Sequence, residues 1–288
     1  WMRDQAHTPF RARAYVDTGP VQERVYAQYA GLGWIGKNTC LINPERGSWL
    51  FLGEIITSLA LRPDPPGFDQ CGTCTLCLEA CPTGALTAPY VLDATRCLSY
   101  LTIELKQAIP ATLREALGRH VYGCDICQDV CPWNQAAPVS RDPAWQPREG
   151  LDSPRLIDLW KRRDAELHEL VDGSAMTRPK LTGLRRNIAV AMGNSRAAGM
   201  AAALDASGGP DSPSLDDRVV REHVAWALGR VAGRSARAAP DDTGAPDRGA
   251  ALVRQAVEAL AGARTRDPAV EVREEATLAH REATTATH

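Results

Sequence analysis

Eight of the nine cysteines are spaced for iron–sulfur chemistry. One run is Cys71-x2-Cys74-x2-Cys77-x3-Cys81 followed by Pro82, and the other is Cys97, a long gap, then Cys124-x2-Cys127-x3-Cys131 followed by Pro132. A short loop with small residues (Gly72, Thr73) can bring three thiolates onto one face of a cubane, and the fourth must come from elsewhere. Where two clusters share this spacing, the cysteine before the proline serves the cluster of the other run. That rule gives Cys71, Cys74, Cys77 and Cys131 to one 4Fe–4S cluster and Cys81, Cys97, Cys124 and Cys127 to the second. Zinc sites also use C-x2-C pairs, but seldom three cysteines followed by Cys-Pro. A disulfide framework suits a small secreted domain rather than a chain of 288 residues. Clusters carry electrons one at a time, so the expected chemistry is redox.

The remaining reactive side chains are less informative. Cys40, between Thr39 and Leu41-Ile42, reads as a structural thiol on a strand. The six histidines show no metal spacing, and His120, His168 and His223 read as surface or packing residues. Asp17, in Val16-Asp-Thr-Gly-Pro20, is by itself an ordinary turn or capping carboxylate. Gly31-x-Gly33-x-x-Gly36 mimics a dinucleotide fingerprint, but it follows a helix rather than a strand, so that context fails.

Three zones must position these groups. Residues 1 to about 66 mix short apolar runs with glycine turns: Ala14–Val16 reads as a strand, Val21–Ala30 as a helix, and Ser48–Leu52 and Glu54–Thr57 as strands of a buried sheet. The proline-rich stretch from Arg62 to Gly67 ends this zone. In the cysteine zone, Arg96–Ala108 and Ala111–Gly118 look helical. From about 155 four segments align: Leu184–Asn194, Val220–Arg230, Val253–Ala263 and Val272–Glu282. Their shared theme, aliphatic-Arg-x-x-apolar-x-x-apolar with alanine and glycine for close contact, resembles the second helix of HEAT repeats. Asp205–Ser214 and Gly233–Gly249 read as exposed loops. The net charge of −2 gives no global pull toward nucleic acid or membrane. No apolar run approaches the roughly 18 residues that span a bilayer. Thiolates committed to iron point to a reducing compartment, the cytoplasm. Trp1 is not an initiator, so an N-terminally truncated record is expected.

In combination the motifs are specific. The order DTGP, GLGWIGKN, FLGEI, then both cysteine runs enclosing RCLSYLTIE and ending in YGCDICQDVCPWN, resembles the epoxyqueuosine reductases over residues 10 to 135. A helical-repeat tail fits the same family. The resemblance implies reduction of epoxyqueuosine to queuosine at the wobble position of transfer RNA, with cobalamin and two 4Fe–4S clusters. The implied fold is multidomain, α/β plus α: the C-terminal part of a cobalamin-binding α/β domain over 1–66, a ferredoxin-like double-cluster domain over 67–140, and a HEAT-like α-solenoid over 150–288. Roughly a hundred residues of the family's cobalamin domain lie outside this sequence by that comparison.

Residue by residue, the resemblance implies that Asp17 is the proton donor, its pKa raised by an apolar pocket. Lys37, Asn38, Leu41 and Leu52 would wrap the corrin, and Ser99, Cys124 and Asp125 would lie where the nearer cluster meets it. Gly173–Leu204 contains no acidic residue and five basic ones, Arg178, Lys180, Arg185, Arg186 and Arg196, a candidate phosphate-binding face for the anticodon loop. Tyr100–Lys106 is a second candidate contact. An external one-electron donor such as a flavodoxin or ferredoxin is expected, with a monomeric protein and no membrane partner. Two other classes fit less: a corrinoid reductive dehalogenase acting on a small molecule, and a non-catalytic ferredoxin-type carrier, which leaves Asp17 and the basic segment without a role.

Overall fold

The computed structural model describes residues 2–205, 215–237 and 248–285. In chain order the first elements are α1 (Met2–Gln5), β1 (Ala12–Tyr15), α2 (Glu23–Tyr29), β2 (Trp34–Ile35), β3 (Leu41–Ile42) and β4 (Glu54–Thr57). The cysteine region adds α3 (Leu76–Ala80), β5 (Leu86–Ala88), β6 (Val91–Leu92), α4 (Ala111–Arg114) and α5 (Ile126–Asp129). Seven helices follow: α6 (Leu156–Lys161), α7 (Asp164–Val171), α8 (Lys180–Asn194), α9 (Met200–Asp205), α10 (Arg218–Arg237), α11 (Arg248–Arg266) and α12 (Val270–Thr285).

These elements form two compact units, Trp1–Ala94 with Asp125–Trp145, and Thr95–Cys124 with Gln146–His288. The division departs from the three zones expected from composition, because the middle of the cysteine zone belongs with the helices. The reason is apolar burial: Leu98, Leu101, Ile109 and Leu117 share one core with Val190 of α8. Each is 2 % exposed or less, so this segment has its apolar partners in the helical unit.

The first unit holds three two-stranded antiparallel sheets, β1 with β4, β2 with β3, and β5 with β6. Ser48–Leu52 is not a strand, and the β1–β4 ribbon is not buried as expected: Ile55 and Ile56 are each 55 % exposed. The core of this unit lies instead at β2–β3, where Trp34 and Ile42 pack with Cys131.

In the second unit all four aligned segments lie on long helices, α8, α10, α11 and α12. Their small residues let helices meet closely, as expected. A Cβ at Gly193 would stand 2.9 Å from the Ala227 backbone, and one at Gly229 would stand 2.4 Å from Ala279. The loop expected over Gly233–Gly249 is helical at both ends, and residues 206–214 and 238–247 lie outside the described residues. The helix expected over Arg96–Ala108 is a 3-10 turn (Ala94–Arg96) and a π-helical turn (Tyr100–Glu104). No helix among the described residues is long and apolar enough to cross a membrane.

Candidate metal centre

In the first unit Cys71, Cys74, Cys77 and Cys131 line one cavity. They are the four cysteines that the cross-run rule assigns to one cluster. α3 begins just after the Cys71–Cys74 turn and carries Cys77 on its first turn, while Cys131 follows α5. Gly72 takes φ +52°, a conformation that a side chain would strain, and so lets the turn reverse between Cys71 and Cys74. Among the described residues no three His, Cys, Asp or Glu side chains converge tightly enough for a single ion. Four thiols drawn from two cysteine runs, each closed by Cys-Pro, suit a four-iron cluster better than a tetrahedral zinc.

The electrostatics fit the same occupant. Burial pushes the Cys77 thiol up to about 11, and the neighbouring Cys127 and Cys71 add like-charge repulsion. Thiols crowded in this way resist ionisation until positive charge arrives, and iron supplies it. Cys81 is set differently. Burial opposes its charge, but the backbone N–H groups of Leu86 and Ala85 and the Thr83 hydroxyl outweigh that and lower its pKa. The Ala85 N–H lies 3.3 Å from the Cys81 sulfur.

The residues expected around the corrin divide. Lys37 lies over the first cysteine turn: its Nζ donates to the carbonyls of Gly72 (2.7 Å) and Cys74 (2.9 Å), and its backbone N–H points at Cys71 Sγ (3.5 Å). Asn38 is 4 % exposed, donates to the Cys127 carbonyl at 3.3 Å and accepts from the Cys40 N–H at 3.1 Å. Leu41 is buried on β3 and Leu52 is half-buried. Asp17 is exposed, with φ 59°, and its N–H donates to Glu23 Oε1 at 2.7 Å. The apolar pocket expected around Asp17 is thus not supplied by these residues. Asp125 is exposed and accepts from Gln128 Nε2 at 2.7 Å. Cys40 is half-buried just before β3 rather than on it, with its thiol against Cys127.

The glycines of GLGWIGKN serve packing, since a Cβ at Gly33 would stand 2.0 Å from the Ile42 carbonyl oxygen and one at Gly36 2.4 Å from the Ile42 side chain. The end of the CPWN motif also has a role that sequence reasoning missed. Asn134 accepts from the Ser48 N–H at 2.6 Å and donates to Ser48 Oγ and the Gln128 carbonyl, both at 2.8 Å, which fixes the chain just after Cys131. The only advance signal was an Asn three residues beyond a ligand.

In the second unit Ser99 Oγ accepts from the Cys124 N–H at 3.1 Å. Thr102, which sequence reasoning also missed, accepts from the Gly123 N–H at 3.0 Å while donating to the Leu98 carbonyl at 2.7 Å. The basic segment divides too. Arg178, Lys180 and Arg196 are exposed, and Arg178 pairs with Glu104 at 2.7 Å. Arg185 and Arg186 are buried, which corrects their assignment as phosphate ligands. Arg185 bonds Asp164 and the Trp160 carbonyl. Arg186, 0 % exposed, bonds the carbonyls of Leu101, Leu105 and Gln107 at 2.6 to 2.9 Å. Burial pulls its pKa down to about 10.

Comparison with known proteins agrees with this site. A family described as "4Fe-4S double cluster binding domain" matches residues 70–134. An epoxyqueuosine reductase of Xanthomonas campestris is 46 % identical over 221 residues, 76 % of this chain and 61 % of that protein. The chain thus spans about three-fifths of that relative's length. A selenomethionine-labelled epoxyqueuosine reductase superposes with a TM-score of 0.79 at 30 % identity, covering 96 % of this chain and 67 % of that one. Another, solved with a tRNA-Tyr epoxyqueuosine-modified stem loop, has a TM-score of 0.79 at 29 % identity, covering 98 % and 68 %.

Proposed function

The chain belongs to the epoxyqueuosine reductase family, and from that premise we propose that it reduces the epoxide of epoxyqueuosine to the cyclopentene of queuosine at the wobble position of transfer RNA. The observation that carries the reading is the cavity lined by Cys71, Cys74, Cys77 and Cys131 in a chain of this family. Taking out the epoxide oxygen as water requires two electrons and two protons. Clusters held by Cys71, Cys74, Cys77 and Cys131, and by Cys81, Cys97, Cys124 and Cys127, would supply single electrons drawn from an external donor such as a flavodoxin or ferredoxin.

Asp17 is the proposed acid. Its carboxyl would hold the proton that the departing oxygen takes, a role typically worth about two to four decades of rate. Exposed in this chain, it would be shielded from water only by the bound substrate and cofactor. Cobalamin is the proposed partner of that acid. Glu54 supports it: both carboxylate oxygens are shielded from solvent and have no hydrogen-bond partner among the described residues. Such an acceptor asks for donors from a bound group, and the amide side chains of a corrin are donors. Glu54 and the half-buried Leu52 beside it would help to hold the cofactor. When bound, cobalamin would supply low-valent cobalt able to attack or coordinate the strained ring. Arg178 and Lys180, both exposed, are the proposed phosphate contacts for the transfer RNA. The reported relatives and neighbours give no observation in favour of a small-molecule dehalogenase or a passive electron carrier.

The test is anaerobic reconstitution with iron, sulfide and cobalamin, followed by incubation with epoxyqueuosine-containing transfer RNA and a chemical reductant. Mass spectrometry of the nucleosides should show loss of one oxygen. Asp17→Ala should abolish that loss with both clusters present. No conversion by the full-length protein carrying both clusters and cobalamin would sink the reading.

A further inference from the structure

Apart from its thiols, the four-cysteine cavity is lined by one ionisable residue among the described ones, Lys37. Its ammonium is fixed. Nζ donates to the Gly72 carbonyl at 2.7 Å and to the Cys74 carbonyl at 2.9 Å, on the turn that carries Cys71 and Cys74. The backbone of Lys37 is held as firmly: its N–H points at Cys71 Sγ (3.5 Å) and its carbonyl accepts the Tyr90 N–H at 3.1 Å. The next residue, Asn38, is buried and donates to the Cys127 carbonyl at 3.3 Å. A half-buried cation is thus pinned to the cysteine turn. Both of its acceptors are neutral carbonyls, so neither cancels the charge. Asp69 reaches the same turn, where it accepts the Cys71 N–H at 2.9 Å, but it is exposed and water screens it.

We infer that Lys37 is a positioning residue for the 4Fe–4S cluster held by Cys71, Cys74, Cys77 and Cys131, its ammonium clamping the Cys71–Cys74 turn and raising the reduction potential of that cluster. The inference rests on the iron–sulfur reading of the cavity, and it gives Lys37, expected at the corrin, a task at the cluster. The couple is a one-electron one, in which the cluster passes from the 2+ to the 1+ state with an electron from the external donor. The added electron brings negative charge, and a fixed cation beside it lowers the energy of the reduced form. Local charge and hydrogen bonds to the sulfurs are among the factors that set cluster potentials. The Lys37 backbone N–H acts in the same direction on Cys71 Sγ and is kept in every side-chain variant, so substitution isolates the ammonium.

The experiment is an anaerobic potentiometric titration followed by electron paramagnetic resonance, with dithionite as reductant. The signal of this cluster is identified as the one lost in Cys77→Ser. Lys37→Gln keeps a side-chain donor and removes the charge. With iron and sulfide contents unchanged, its midpoint should move to more negative potential by about tenfold in the reduction equilibrium, 59 mV for one electron. Lys37→Arg restores the charge and should return the midpoint close to that of the unaltered protein. Arg13→Gln, which removes an exposed cation lying over the Tyr15 ring, should leave the midpoint in place. An unmoved midpoint in Lys37→Gln with full iron content would overturn the inference and spare the cluster reading. Equal shifts in Lys37→Gln and Lys37→Arg would do the same, since charge would then not be the cause. Failure of the unaltered chain to take up iron and sulfide would overturn both. Should Lys37→Gln itself lose iron, Lys37→Arg decides: it should recover both the iron and the original midpoint, and recovery of neither would overturn the inference.

Discussion

Cysteine ligands and their neighbours respond differently to substitution because they do different work. Cys77→Ser removes one of four thiols around a cavity and should cost the chain one cluster, about half its bound iron, as read by iron and sulfide analysis. Loss of all iron would mean that the two runs do not hold separable clusters. Among the basic residues exposure decides. Arg178→Ala and Lys180→Ala should each lower the salt dependence of transfer-RNA binding by about one unit of log–log slope. Arg185→Ala and Arg186→Ala should act on stability instead, because both side chains are spent on Asp164 or on backbone carbonyls. An equal change of slope in all four variants would contradict this division. The cysteine pattern was readable from spacing alone, since ligand geometry is local. The fate of two adjacent arginines was not, since burial depends on what packs over them.

At the level of elements, helix α8 anchors the segment between the two cysteine runs. Arg186 takes three carbonyls at the end of the π-helical turn, and Asn187 donates to the Thr102 and Val121 carbonyls at 2.7 and 2.8 Å. Thr102 in turn holds the Gly123 N–H, one residue before Cys124. Arg186→Met would leave those buried carbonyls unpaired and should destabilise the chain by about 3–5 kcal/mol, seen as a lower urea midpoint. A change under about 1 kcal/mol would show that water takes over the carbonyls. The four long helices were legible from a 3.6-residue apolar pattern and the small residues where they meet. The π-helical turn was not, because its geometry is dictated by Arg186 and Asn187, more than eighty residues away in sequence.

For the molecule as a whole, a buried network ties Thr95–Cys124 to the helices of its unit. Arg114 meets Glu222 at 2.5 Å and stands 3.1 Å from Glu275, while His223, 0 % exposed, accepts the Ile109 N–H on Nε2 at 3.1 Å. Its Nδ1 lies 2.7 Å from the Val219 carbonyl, so the ring is neutral with Nδ1 protonated. Burial, with the nearby Arg114 charge, holds the His223 pKa well below 6.5. The unfolded chain therefore binds a proton that the folded chain refuses once the pH drops below about 6.5, and stability falls with it. Near pH 5.5 the loss should be on the order of 1 kcal/mol relative to pH 8. His223→Gln, which has no such proton, should show a shallower fall in urea midpoint, and an identical slope in both chains would rule His223 out.

The sequence by itself determined that eight cysteines have iron–sulfur spacing and where the long helices run. Those features depend on side-chain chemistry and short-range spacing. Only the tertiary structure decided that Thr95–Cys124 belongs to the helical unit, that Arg185 and Arg186 are internal, and that Trp34 is buried in one core with Ile42 and Cys131. Each of these rests on burial among residues distant in the chain, which no local pattern encodes.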